Sequence, residues 1–147
     1  MDVSQLPFNK LIGLESAAAE SGFQVSLPDN PQYTNHLGTV HASAMLAVAE
    51  AGSGAFLSQQ FTGYSGFIPV VRRLEAKFLR PGSGQISARC KVPPEEVAHW
   101  AAELAARGRI SVSIPVEVVD ATGSIVMSAL VGWFISRAAT QDAHGIV

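Results

Sequence analysis

Between Asp29 and Arg72 the chain carries a single formally charged residue, Glu50, and it stands within a run of small and apolar side chains from about His41 to Phe61. A carboxylate held away from water without a partner is costly when ionised. Its pKa rises toward the range of a general base or of a carboxylate that attacks a carbonyl. The competing expectation is structural: the side chain reaches water at a helix flank or pairs with an arginine such as Arg72. A second group of interest lies just ahead, in Asn35-His36-Leu37-Gly38-Thr39-Val40-His41-Ala42-Ser43. If a helix begins here, the free amides of Ala42 and Ser43 point off its N-terminus, where a developing oxyanion is stabilised. Every helix has such an end. Read singly, His41 is a capping or loop-packing residue as readily as a catalytic one, and Asn35 is a turn residue.

The helix that must carry Glu50 covers about 41–61, with Thr39 or Ser43 as its N-terminal cap. It has no clear polar face, so it is expected to be buried on most sides, and Gly52 and Gly54 let other backbones come close. Around it the pattern is of period two. Ile86, Ala88, Cys90 and Val92 alternate with polar residues, and so do Ile110, Val112, Ile114, Val116 and Val118. Pro115 lacks a donor, which places that strand at an edge or turns the position outward. Further strands are expected over 70–79 and 125–135, the second after the turn Asp120-Ala121-Thr122-Gly123. A short helical turn over 6–12 is followed by two expected strands, 13–19 and 22–27, and a polar loop over 28–37. One amphipathic helix spans Pro94 to Arg107, with Val97, Trp100 and Leu104 in its apolar stripe and Gly108 as its stop. Trp100 and Trp133 read as core or interface residues. A helix without a polar face must be wrapped, and only the sheet has the area to do it. The expected architecture is α+β, a curved, mostly antiparallel sheet around the helix at 41–61.

Composition narrows the classes of function. The 147 residues are 48% hydrophobic and only 15% charged, with a formal net charge of -2. That suits one domain over 1–147, with 138–147 as a flexible tail or interface extension. The pI near 6.0 and the absence of a basic run argue against a nucleic-acid partner. The lone Cys90 cannot form an internal disulfide or a cysteine-built metal site, so a reducing, cytoplasmic setting and no metal are expected. Nothing reads as an export signal or a membrane span. A mean hydropathy of +0.24 is high for so small a protein, and a subunit interface is expected to hide part of the apolar surface.

Residues 35, 38, 41 and 50 spell Asn-x-x-Gly-x-x-His followed nine residues later by an acid on a small-residue helix. This pattern closely resembles the PaaI-like hotdog thioesterases. The resemblance extends to Ile12-Gly13, to Phe78-Leu79-Arg80-Pro81-Gly82 and to Val119-Asp120-x-x-Gly123. The helix inserted at 94–107 is similar to a branch of the superfamily known mainly as a domain of unknown function. The resemblance implies a hotdog fold and hydrolysis of an acyl-thioester such as acyl-CoA, with coenzyme A as part of the substrate and no other cofactor. It further implies that Glu50 activates water or attacks the carbonyl, that the Ala42 amide holds the thioester oxygen, and that Asn35 and His41 orient the loop, the water or the carbonyl. Gly38, Ser43 and Gly54 become candidate substrate contacts. Arg72, Arg73 and Arg80, with Lys77, are candidates for coenzyme A phosphates, against the simpler reading of a solvated strand face.

Ala42 and Glu50 are eight residues apart, about 12 Å along one helix, too far to reach one carbonyl together. The family answers this by packing two subunits antiparallel, so a homo-oligomer, a dimer or a dimer of dimers, is implied. Two departures stand out. The usual His-Gly-Gly reads His41-Ala42-Ser43, and the acid is Glu where Asp is common. The alternative function is a non-catalytic binder of acyl or other apolar ligands. A dehydratase of the same fold fits less well, because its spaced Asp and His pair is not found.

Overall fold

The computed structural model describes residues 1–63 and 65–138. The order is α1 (Pro7–Leu11), β1 (Glu15–Ser16), β2 (Val25–Leu27), α2 (Ala42–Gln60), β3 (Phe67–Phe78), β4 (Ile86–Cys90), α3 (Pro94–Arg107), β5 (Arg109–Val119) and β6 (Ile125–Arg137). The strands form one six-stranded sheet in the order β1-β2-β4-β5-β6-β3, antiparallel at every step. The sheet curves around α2, which packs against β2, β3, β4, β5 and β6. This is the hotdog architecture expected from the helix without a polar face.

Small residues let the helix sink into the sheet. A Cβ placed on Gly52 would meet the Ala88 Cβ of β4 at 2.7 Å, so the two backbones approach as only glycine opposite alanine allows. One residue on, the Ser53 hydroxyl accepts a hydrogen bond from Trp133 Nε1 at 2.9 Å and donates to the Glu50 carbonyl at 2.7 Å. The Ser53 hydroxyl and the Trp133 indole N–H therefore satisfy one another inside the core. Trp133 and Trp100 are both core residues.

In β5 the alternation is as expected, with Ile110, Val112, Ile114, Val116 and Val118 all buried. Pro115 is tolerated for a specific reason. The last β4–β5 pair is Cys90 with Val116, so Pro115 lies just beyond the end of β4, where β5 has no strand on that side. The proline side chain is exposed. α3 fills the space that β4 leaves, laying Trp100 and Leu104 against the inner face of β5.

Several boundaries differ from the sequence expectation. The strand expected over 13–19 is only Glu15–Ser16, because Gly13 takes a positive φ of 73° and the chain turns through a 3-10 segment at Ala19–Ser21. The strand expected over 22–27 is only Val25–Leu27. The helix cap is neither Thr39 nor Ser43 but His41, whose ring accepts the Ser43 amide. β3 begins at Phe67 and β6 runs on to Arg137. Of the tail expected over 138–147, all but Ala138 lies outside the described residues.

Gly52→Ala tests the closeness of the packing. The substitution gains helix propensity of about 1 kcal/mol but overpacks a rigid contact that costs about 1–3 kcal/mol. The expected net effect is a loss of up to about 2 kcal/mol, read from urea unfolding at neutral pH; a more stable variant would show that the helix and β4 are not in close contact.

Candidate active site

The sheet covers only part of α2. Met45, Val48, Ala49, Gly52, Ser53, Phe56 and Leu57 are buried, whereas Leu46, Ala47, Glu50, Gly54 and Ser58 are only half-buried. At about 100° per residue the second set makes one stripe along the helix. Glu50 stands in the middle of it. Among the described residues its carboxylate has no ion pair, and the Arg72 pairing considered from sequence does not form: the Arg72 guanidinium lies 4.5 Å from the centre of the Phe134 ring instead. Burial alone pushes the Glu50 carboxyl above the usual carboxylate range.

The loop before the helix is built by its own side chains. Asn35 Oδ1 accepts from the amides of Leu37 and Thr39, at 2.9 Å and 3.2 Å, and Asn35 Nδ2 donates to Thr39 Oγ1 at 3.0 Å. Gly38 turns with a φ of 76°, a conformation that suits glycine. The helix end of the loop is then clamped, the Val40 amide on the Gly82 carbonyl at 3.0 Å and the His41 amide on the Tyr33 carbonyl, just before the loop, at 2.7 Å. Asn35 and Gly38 thus shape the loop rather than face the helix stripe.

His41 caps α2, with Nδ1 accepting the Ser43 amide at 3.0 Å. An accepting Nδ1 in the neutral ring places the proton on Nε2. Sequence left two amides as candidates for an oxyanion. The cap occupies that of Ser43, while the Ala42 amide has no partner among the described residues and the residue is exposed. The site's free donor is therefore Ala42.

The arginines occupy a different surface. β3 pairs with β6 so that Val71 opposes Trp133 and Leu74 opposes Val131, both on the α2 side of the sheet, where Leu74 packs on the core and Val71 stays exposed at the edge, with a bulge between Val71 and Arg73. Arg72 on Phe134 and Arg73 opposite Gly132 project from the face of the sheet turned away from α2, and Arg73 is paired with Glu75. Arg80 is exposed in the loop after β3. Within one chain, Arg72 and Arg73 do not face Glu50 or Ala42.

Two cavities flank Glu50 along the helix stripe. One, of about 320 Å³, opens at the first turns of α2 and is lined by Phe8, Ile12, Leu27, Tyr33, His41, Ser43, Ala44 and Ala47. The other, of about 220 Å³, lies beyond Glu50 and is lined by Gly54, Leu57, Phe61, Phe67, Leu104 and Ile135, among others. Neither is lined by Glu50 itself. Sequence reasoning missed Tyr33, whose hydroxyl donates to the Ile12 carbonyl while its own carbonyl holds the loop. It also missed Phe61, whose spacing from Glu50 and Gly54 put it on the same stripe. Cys90 offers no nucleophile: burial pushes its thiol up to about 12.

The hotdog sheet wrapped on its central helix is a fold found in solved structures. A Pseudomonas aeruginosa protein of unknown function, named a probable thioesterase, superposes with a TM-score of 0.79 at 23% identity, over 92% of this chain and 91% of that one. A Haemophilus influenzae thioesterase has a TM-score of 0.69 at 14% identity, over 95% and 90%. A Bacillus halodurans protein crystallised with CoA has a TM-score of 0.66 at 20% identity, over 87% and 74%. No curated protein matches the sequence. The chain belongs to the family described as a domain of unknown function, DUF4442, whose model matches residues 5–135. Among the described residues no helix is long and apolar enough to cross a membrane.

Desolvation of Glu50 has a consequence for stability. A folded-state pKa above the unfolded value means that the native state binds more protons over that interval, so stability is lost as pH rises through it. Glu50→Gln removes the penalty. The variant is expected to be more stable than the parent at pH 7, with the difference shrinking toward pH 4; equal denaturation midpoints at both pH values would mean that Glu50 is solvated.

Proposed function

We propose that the chain hydrolyses acyl-thioesters of the acyl-CoA type. The observation that carries this reading is the unpaired Glu50 carboxylate, desolvated on the open face of α2. In the proposed reaction Glu50 takes a proton from water as the water oxygen bonds to the thioester carbonyl carbon. The C–S bond then breaks, and the thiolate leaves with the proton that Glu50 had accepted. The Ala42 amide supports the carbonyl oxygen as it gains charge. His41 and Asn35 act as positioning residues, the first by capping the helix and the second by holding the loop. A fold shared with a protein crystallised with CoA and with a Haemophilus influenzae thioesterase supports the substrate class.

The two working groups belong to different chains in this proposal. β3 is an edge strand of 12 residues, with Ile68 and Phe78 each 51% exposed and Val70 43%. A strand this long and apolar invites pairing. Antiparallel pairing of β3 with its copy runs the two α2 helices antiparallel on one side of a continuous sheet. Each Glu50 then faces the other chain's helix start, which spans the roughly 12 Å that one chain cannot. Coenzyme A enters as part of the substrate, and a dimer, or a pair of dimers, is the working unit.

Ala42→Pro removes the proposed donor and little else. Proline suits the first helical position, and His41, with a ψ of 139°, already has the backbone required before it. Expected outcomes are a fall in kcat of about 10²–10³ for Ala42→Pro and complete loss for Glu50→Ala, both with native circular dichroism. Mixing the two inactive variants restores one intact site in each mixed dimer, so about a quarter of the parent activity should return on co-refolding. Activity that survives in Glu50→Ala would reject the reading, and a failure of the mixture to regain turnover would reject the shared site.

A further inference from the structure

We propose that the cavity beyond Glu50 is the acyl pocket, and that it selects straight acyl groups of about eight carbons or acyl groups bearing a single aromatic ring. This rests on the thioesterase reading above and names its substrate. The cavity starts one helical turn past Glu50 on the same stripe and follows α2 through Gly54, Leu57 and Phe61, with Phe67 and Ile135 from the sheet and Leu104 from α3.

Position 54 keeps the way in open. A helical side chain lies over the turn on the N-terminal side of its own Cα, so any side chain at 54 would cover the helix surface beside Glu50. Glycine leaves that position without a side chain. A Cβ there would lie 3.4 Å from the Trp133 ring and 4.0 Å from Val3 Cγ1, so the way from Glu50 to the cavity is taken to pass between these two residues. A single methyl group therefore fits sterically while narrowing the passage.

Size sets the preference. An apolar cavity of about 150 Å³ accepts benzene, so at the same packing about 220 Å³ admits roughly eight or nine carbons. The rise along α2 from Gly54 to Phe61 gives a depth of about 10 Å, which suits an extended chain of that length. α3 sets the limit, because Leu104 is fully buried and stands behind the cavity. The helix inserted between β4 and β5 thereby acquires a role in specificity.

The test is a series of acyl-CoAs from acetyl to palmitoyl, with phenylacetyl-CoA, assayed by thiol release on the parent, Gly54→Ala and Phe61→Ala. For the parent, kcat/KM should peak near octanoyl and fall at least tenfold by myristoyl. Gly54→Ala should lower the octanoyl-to-acetyl ratio about tenfold, and Phe61→Ala should raise the dodecanoyl-to-octanoyl ratio by a similar factor. Turnover with ratios that neither variant moves would overturn the pocket while leaving the thioesterase reading intact. If the parent hydrolyses none of the series, that reading fails, and the pocket is judged by titrating octanoate and phenylacetate against tryptophan emission. Saturable change in the parent that weakens in Gly54→Ala supports the pocket, and no saturable change in the parent overturns it.

Discussion

The close seating of α2 in the sheet is the contact on which the other features rest. A helix of alanine, glycine, serine and a few larger apolar residues has too little polar surface to face water and too little bulk to hold strands far away. The sheet therefore closes on it until Gly52 lies against Ala88 and Ser53 meets the Trp133 indole. Six strands cannot encircle a helix completely. The uncovered strip is where a charged residue can be placed without unfolding the chain, and Glu50 is there. Fold and chemistry are thus linked: the packing that makes the helix featureless also isolates its one acid.

Much of this was legible in the sequence because it depends on local pattern. The alternation of β5 and the stripe of α3 follow directly from residue order, and the lone acid on a small-residue helix was visible as an oddity. What was not legible depends on pairing between distant segments. Val70, Val71, Arg72, Arg73 and Leu74 show no simple alternation, because the bulge at Arg72 adds a residue and resets the inward phase from Val71 to Leu74. Only the partner strand β6 determines that phase. The cap was misread for a similar reason. Serine and threonine are the usual caps, yet the Thr39 hydroxyl is engaged by Asn35 and the Ser43 amide is the group being capped, which leaves the task to His41.

The motif loop illustrates how residues that look catalytic in a pattern divide into separate tasks. Gly82, from the Arg80-Pro81-Gly82 segment, lies so close to the helix start that a Cβ would meet Met45 at 2.9 Å, and its carbonyl receives the Val40 amide. Gly13 likewise has the Tyr33 hydroxyl where a side chain would begin. These glycines and Asn35 fix the backbone of His41 and Ala42 to the core. The direction of the Ala42 amide is then set by the body of the protein, which is what preorganised support of an oxyanion requires.

The cause of the Glu50 shift also bears on how the proposed reaction is tuned. A neighbouring carboxylate would raise a pKa by a fixed repulsion, but here desolvation alone acts, so the base strength of Glu50 follows the amount of water beside it. An acyl group lying along the helix stripe removes part of that water. In the proposed complex the carboxylate becomes more basic as the substrate settles, and less so when the product leaves. A longer acid than aspartate also reaches farther from a helix that is sunk in its sheet, which in the proposed reaction would bring the Glu50 carboxylate toward a carbonyl above the stripe. In the proposed reaction substrate fit and base strength would then rise together, and a poorly fitting acyl group would be disfavoured both in binding and in the chemical step.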